Sequence, residues 1–213
     1  MKCFSLFSGI GCIDQTLTKH GHEIVGACEI DRNARRVYAE HFPTVKIWED
    51  ATKIIPGELP DFDLLCAGFP CQSFSIAGKQ LGFNDLRGTV FFEIARIVKE
   101  KRPELLFLEN VAGLLNHDKG KTFQIILQTL FEMGYDAQWQ VLDSRYFVPQ
   151  GRKRIFIIAN LREKPIGKIL PIGQISDLFE KESTKWLPSL TASDYKGPSK
   201  QRITNIIVEE SPS

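Results

Sequence analysis

Five cysteines are spread along the chain, and one differs from the others in its surroundings. Cys3, Cys12, Cys28 and Cys66 lie in apolar runs, the usual setting of an inert, buried thiol. Cys71 instead lies in Gly68-Phe69-Pro70-Cys71-Gln72-Ser73-Phe74-Ser75, a loop that directly follows the strongly apolar run 62–67. That is a place for a nucleophile rather than a core thiol. A free thiol of pKa about 8.5 is only a few per cent thiolate at neutral pH, so a nucleophilic Cys71 needs a cationic neighbour. Arg152 and Arg154, in Gln150-Gly151-Arg152-Lys153-Arg154, are the candidates: strand alternation puts them on one face and Lys153 on the other. Alone, this basic triplet reads as a solvated strand end.

Two further groups carry chemistry. Glu109, in Glu109-Asn110-Val111, follows a second apolar run and points into the same cleft, where an enclosed acid can serve as a proton donor. The plainer alternative is a carboxylate that caps the next loop. Near the N-terminus, Phe7-Ser8-Gly9-Ile10-Gly11 joins a strand to a helix, and its glycines let a backbone approach a ligand at the positive end of that helix. Such a turn is weak evidence by itself. It gains weight from Glu29, at the end of the next strand, where a carboxylate can accept both hydroxyls of a ribose cis-diol. The dinucleotide fingerprint wants a third glycine, and position 14 is Asp14, which points to a nucleoside ligand without a pyrophosphate. Asp50, after the third strand, can accept from an adenine amino group, although by itself it reads as a solvated loop acid.

The elements that must position these groups follow from the pattern. Strands are expected over 2–7, 23–30, 45–47, 62–67, 104–108, 135–142 and 154–160. Helices are expected over 12–20, stopped by Gly21, and over 32–41, 89–101 and 119–133. This alternation predicts an α/β fold, a mostly parallel sheet covered by helices on both faces, with ligands outside the carboxyl ends of the strands. The loops at 8–11, 29–31, 50, 68–88 and 109–111 converge there. The loop at 150–152 is harder to place, because it precedes a strand. After Leu161 the periodicity stops, and 162–213 read as an irregular extension.

Composition is ordinary for a globular chain of 213 residues, with 43% hydrophobic and 25% charged residues. One such domain needs neither disulfides nor metal to fold. A net charge of +1 means that any phosphate binding must come from local clusters. An odd cysteine count without a CxxC pair argues for a reducing, cytoplasmic setting and against a zinc site. No apolar run is long enough for a membrane helix, and the first thirteen residues lack the cleavage pattern of a signal peptide.

Taken together, these motifs resemble the DNA (cytosine-5)-methyltransferases over residues 1–160. The resemblance is carried by Phe7-Ser8-Gly9-Ile10-Gly11, Glu29, Asp50, Gly68-Phe69-Pro70-Cys71-Gln72, Asp85-Leu86-Arg87-Gly88, Glu109-Asn110-Val111 and Gln150-Gly151-Arg152-Lys153-Arg154, in the family's order and at similar spacing. It implies a Rossmann-like sheet that uses S-adenosyl-L-methionine and acts on double-stranded DNA. Phe7, Gly9, Gly11, Glu29, Ile30, Asp50, Pro70 and Val90 fall at cofactor positions. Ile30 stands where some members place an aromatic, and Val90 where many have leucine. Cys71 is implied as the nucleophile on carbon 6 of a flipped cytosine. Glu109 is implied as its partner at the ring nitrogen and amine, and Arg152 and Arg154 as ligands of the base oxygen and phosphates. Gln72, Ser75, Lys79 and Arg87 fall on the DNA side.

Family members continue into a target recognition domain and two further motifs that have no counterpart here. The expectation is therefore an incomplete C-terminal part, residues 161–213 beginning a recognition domain, and a complementing C-terminal polypeptide. Three rival readings remain at this point: a tRNA cytosine methyltransferase, a non-catalytic fragment that binds cofactor or a partner, and a nicotinamide-dependent dehydrogenase. The last is opposed by the missing third glycine and by the Pro-Cys loop.

Overall fold

A computed structural model describes residues 1–70 and 90–170. The chain divides into two compact units, one formed by 1–141 and 154–172 and the other by 142–153 and 173–213.

The first unit is built on a seven-stranded sheet. Its strands are β1 (Lys2–Leu6), β2 (Glu23–Cys28), β3 (Ile47–Trp48), β4 (Leu64–Gly68), β5 (Leu105–Val111), β6 (Tyr135–Asp143) and β7 (Lys153–Leu161). The order is β3-β2-β1-β4-β5-β7-β6. The pairs from β3 to β5 are parallel, whereas β7 runs antiparallel to β5. The expected strands are all present; the third is shifted by two residues from 45–47 to Ile47–Trp48. The helices are α1 (Cys12–Lys19), α2 (Arg32–His41), α3 (Val90–Lys101) and α4 (Lys121–Glu132).

Helices α1, α3 and α4 present apolar residues to the sheet, whereas α2 buries only Tyr38. In α3, Phe91, Ile94, Ala95, Ile97 and Val98 are buried at the i, i+3, i+4, i+7 spacing of one face. They join α4 and the inward residues of the strands (Phe4, Leu6, Leu65, Ala67, Leu106, Leu108, Ile155 and Ile157) in the main core. The alternate residues Cys3, Leu64 and Cys66 turn to the other face, under Ile13 and Leu17 of α1. Beyond α1, among the described residues, this face leaves open an apolar groove lined by Leu64, Leu105, Phe107, Phe156 and Ile158.

Helix α4 starts two residues later than its pattern predicts. His117–Gly120 form a turn of 3₁₀ helix in which Asp118, Lys119 and Gly120 all take left-handed φ, so the α-helical run begins at Lys121. Among the described residues, five short 3₁₀ turns, at 51–53, 56–58, 112–115, 117–120 and 144–146, were not legible from periodicity. Of the four cysteines expected to be buried, Cys3, Cys28 and Cys66 are, but Cys12 is exposed. Ile13 and Leu17 take the inward stripe of α1, leaving Cys12 outside it. Burial pushes the thiol of Cys3 up to about 11 and that of Cys28 up to about 12, so both stay protonated and inert at neutral pH.

Helices α1 and α2 meet through a buried polar contact. Tyr38 donates to the fully buried Asp14 at 2.7 Å. Gly11, at φ +88°, lies against this contact: a Cβ there would stand 2.9 Å from Phe42 and 3.0 Å from Tyr38. Gly9, at φ +57°, has open space beside it. Gly11→Ala is thus expected to cost about 2–4 kcal/mol, from left-handed strain plus overpacking, and Gly9→Ala only about 1 kcal/mol. Urea denaturation of the two variants measures this contrast. Burial raises the Asp14 carboxyl above its ordinary value, against the hydrogen bond from Tyr38. Such a group stabilises the fold below its unfolded pKa of about 3.9 and loses that contribution as pH rises through its folded pKa. The stability of Asp14→Asn relative to the wild type should therefore grow as pH increases from 4 to 7. A pH-independent difference would contradict this assignment.

Candidate active site

All strands from β1 to β5 end at the same edge of the sheet, and the chain between β1 and β4 switches direction of travel across it. A crevice is expected at that point, and a cavity of about 440 Å³ lies there. Six of the eight residues expected around a cofactor line it: Phe7, Glu29, Ile30, Asp50, Pro70 and Val90. The two glycines are not among its lining residues. Gly11 is a packing glycine, and Gly9 acts through its backbone.

Glu29 follows β2 and is held on both oxygens. Gly9 N–H donates to Oε2 and Asp31 N–H to Oε1, each at 2.8 Å. Each carboxylate oxygen has two acceptor sites, so both retain one for a ligand. Phe7, at the end of β1, takes φ +56°, a strained conformation for a bulky residue. That kink turns the chain from β1 into the Ser8–Gly11 turn, which closes with Gly11 N–H donating to Ser8 O at 3.0 Å. Ser8 Oγ is buried without a hydrogen-bond partner.

On the opposite wall Asp50 caps the 3₁₀ turn Ala51–Lys53. It accepts from Thr52 N–H at 2.9 Å and from Thr52 Oγ1 at 2.7 Å. These bonds hold its carboxyl below the usual range. The sequence reading missed Cys28, Ala51, Thr52, Gly68 and Glu93, which also line the cavity. Glu93 lies one helical turn after Val90, and that spacing was the available signal. Its carboxylate is paired with Arg96 at 2.7 Å, and Arg96 also donates to Ala51 O and Ile54 O. This arginine ties α3 to the turn that carries Asp50.

At the end of β5, Glu109 lies beside Gly68 in the register, and its Oε2 is 3.4 Å from where a Cβ of residue 68 would stand. Arg154 Nε pairs with Glu109 Oε1 at 2.8 Å. The two meet because β7 runs backwards, so its first residues reach the carboxyl end of β5; Val111 is opposite Arg154. Asn110, 1% exposed, donates through Nδ2 to Phe69 O at 2.8 Å, and Phe69 N–H donates to Glu109 O at 3.3 Å. The Glu-Asn pair thus fixes the backbone that leads into Pro70.

Arg152 is exposed and belongs to the second unit, of which 142–153 are described. There Asp143 caps the turn Ser144–Tyr146 and pairs with Arg145 at 2.8 Å, and Ser144 N–H donates to Arg152 O. Cys71, Gln72, Ser75, Lys79 and Arg87 lie outside the described residues. Among those described, no group of His, Cys, Asp and Glu could hold a metal ion, and no helix is long and apolar enough to cross a membrane.

Comparison with known proteins agrees with this geometry. A type II methyltransferase of Neisseria gonorrhoeae, M.NgoBI, is 46% identical over 181 residues, covering 82% of this chain and 57% of the relative. M.MspI of Moraxella sp. is 39% identical over 98% of this chain and 57% of the relative. The chain spans about half the length of the curated relatives it matches. The solved S. pombe Dnmt2 methyltransferase superposes with a TM-score of 0.67 at 23% identity, over 85% of this chain and 57% of that one, a likeness of fold. The family model described as C-5 cytosine-specific DNA methylase matches residues 1–210. The chain belongs to the C-5 cytosine-specific DNA methylase family.

Proposed function

We propose that this chain supplies the cofactor site and the catalytic residues of a DNA (cytosine-5)-methyltransferase of the bacterial or phage restriction-modification type. In this reading residues 1–160 form the catalytic domain, and 161–213 lead into a target recognition region. The observation that carries it is a pair of anchored carboxylates at one edge of the sheet on either side of the Pro70 loop, Glu29 held by two backbone N–H groups and Glu109 by Arg154.

The residues present fit S-adenosyl-L-methionine. The cavity is within the roughly 300–1,000 Å³ of small-molecule sites. Glu29 keeps an acceptor on each oxygen for the two ribose hydroxyls, and Asp50 offers a carboxylate to the adenine amine. When bound, the cofactor supplies an electrophilic methyl group. The chain's own residues do the rest. Gly9 holds the Glu29 carboxylate, Pro70 and Val90 enclose the nucleoside, and Ile30 offers an aliphatic face where relatives place an aromatic.

On the DNA side, the target carbon is inaccessible within the stack, so the cytosine is flipped out. Cys71 as thiolate adds to carbon 6, which turns the ring into an enamine with a nucleophilic carbon 5. Glu109 hydrogen-bonds the ring at N3 and the exocyclic amine, and Arg154 orients Glu109 and meets the base oxygen. Arg152 contributes positive charge for phosphate. After methylation a base removes the carbon 5 proton, and elimination frees Cys71. Gln72, Ser75, Lys79 and Arg87 are assigned to the DNA strand. The open apolar groove beside α1 supports a further polypeptide segment as a partner of this chain.

The test is a denaturing gel of the purified chain with S-adenosyl-L-methionine and random-sequence duplex DNA carrying 5-fluorocytosine, from which fluorine cannot leave as a proton does. A covalent band absent in Cys71→Ser is expected once a C-terminal polypeptide that completes the recognition region is added, and no band from the chain alone. Its persistence in that variant would refute the assignment. Arg154→Met should slow adduct formation by about 10²-fold, the cost of a misplaced catalytic group, and leave cofactor affinity unchanged. Glu29→Ala should weaken S-adenosylhomocysteine binding in calorimetry at least about tenfold, the loss of charged hydrogen bonds of roughly 1.5–3 kcal/mol.

A further inference from the structure

We infer that Arg35, on the first turns of α2, is a positioning residue for the ribose of the bound nucleoside, acting through the backbone of Glu29 and Ile30. The inference rests on the reading of Glu29 as the ribose ligand.

Glu29 and Ile30 form a short ridge between the end of β2 at Cys28 and the start of α2 at Arg32. The ridge has little hydrophobic anchorage, since the Ile30 side chain is 73% exposed. Polar ties hold it instead. Glu29 N–H donates to Trp48 O at 3.0 Å, the tie on the amide side. On the carbonyl side both acceptors go to one guanidinium: Arg35 Nη1 donates to Glu29 O at 3.0 Å and to Ile30 O at 2.7 Å. Its Nη2 is in turn held by Glu49 at 3.1 Å. The Arg35 side chain is 17% exposed, whereas that of Glu49 is 76% exposed.

One guanidinium nitrogen whose two hydrogens take two successive carbonyls fixes the peptide groups that carry them, and its partner nitrogen is tied to Glu49. The Asp31 N–H that holds Glu29 Oε1 lies just beyond those peptide groups, so a rotation there withdraws this donor and lets the carboxylate swing out of register with a vicinal diol. Asp31 reinforces the arrangement: its N–H donates to Glu29 Oε1, and its own Oδ1 caps α2 at Ala34 N–H at 2.7 Å. Arg35 therefore links the helix N-terminus to the orientation of the ribose acceptor without touching the ligand.

The consequence is specific to the ribose. Calorimetry with S-adenosylhomocysteine and with its 2′-deoxy counterpart reads it directly, on the full chain. The wild type is expected to prefer the ribose form at least about tenfold, the worth of a hydrogen bond to a charged acceptor. Arg35→Met should bring that ratio below about threefold while the affinity for the deoxy ligand changes less than threefold. Arg35→Lys, with a point charge that serves one carbonyl well, should restore part of the ratio. Glu49→Gln, an exposed substitution with no folding burden, should lower the ratio by a smaller factor. An unchanged ratio in Arg35→Met, or an equal loss of both ligands in Arg35→Met and Glu49→Gln, would overturn the inference while leaving the ribose reading intact. A wild-type ratio near one would overturn the ribose role of Glu29, and this inference with it.

Discussion

The Arg154–Glu109 ion pair can form only because β7 runs against its neighbours. A parallel sheet sends every strand end to one edge, and every loop that follows a strand arrives there. A basic residue at the start of a strand would normally lie at the opposite edge. Reversing one strand brings Arg154 opposite Val111 and within 2.8 Å of Glu109. The pair is about one-fifth exposed on each side, so solvent screening weakens it as a source of stability. Its value is geometric, since it fixes the orientation of the Glu109 carboxylate at the rim of the sheet.

The same logic recurs around the cavity. Its functional groups are held by hydrogen bonds from backbone and neighbouring side chains rather than by burial. Glu29 takes two backbone N–H groups, Asp50 takes Thr52, and Asn110 ties the backbone before Pro70 to the end of β5. The hydrophobic core lies below, where α3 and α4 meet the sheet. A rigid apolar platform carrying polar groups at its rim suits the proposed binding of a cofactor and a flipped base in fixed relation. The left-handed Phe7 is the strain accepted at that rim.

Much of this was legible in the sequence because it depended on local pattern. Apolar runs marked the buried strands, and the helix expected over 32–41 is α2 at both ends. Glu29, Asp50 and Glu109 stood out because each is an acid at a strand end. What escaped was set by long-range partners. Nothing local told that Gly11 is reserved for Tyr38 and Phe42 or that Cys12 faces outward. The direction of β7 was also hidden, since an apolar strand reads alike in either sense. The share of the motif set that is most specific, Pro70-Cys71 followed by Glu109-Asn110-Val111, was recognisable as a family resemblance, and the family model matches residues 1–210.

A crystal structure of the chain with S-adenosylhomocysteine tests most directly whether the strand-end cavity is the cofactor site. The account predicts the ribose hydroxyls on the Glu29 carboxylate, the adenine beside Asp50 and Ile30, and the sulfur toward Pro70. A nucleoside bound elsewhere, or one in this cavity with its ribose turned away from Glu29, would contradict it.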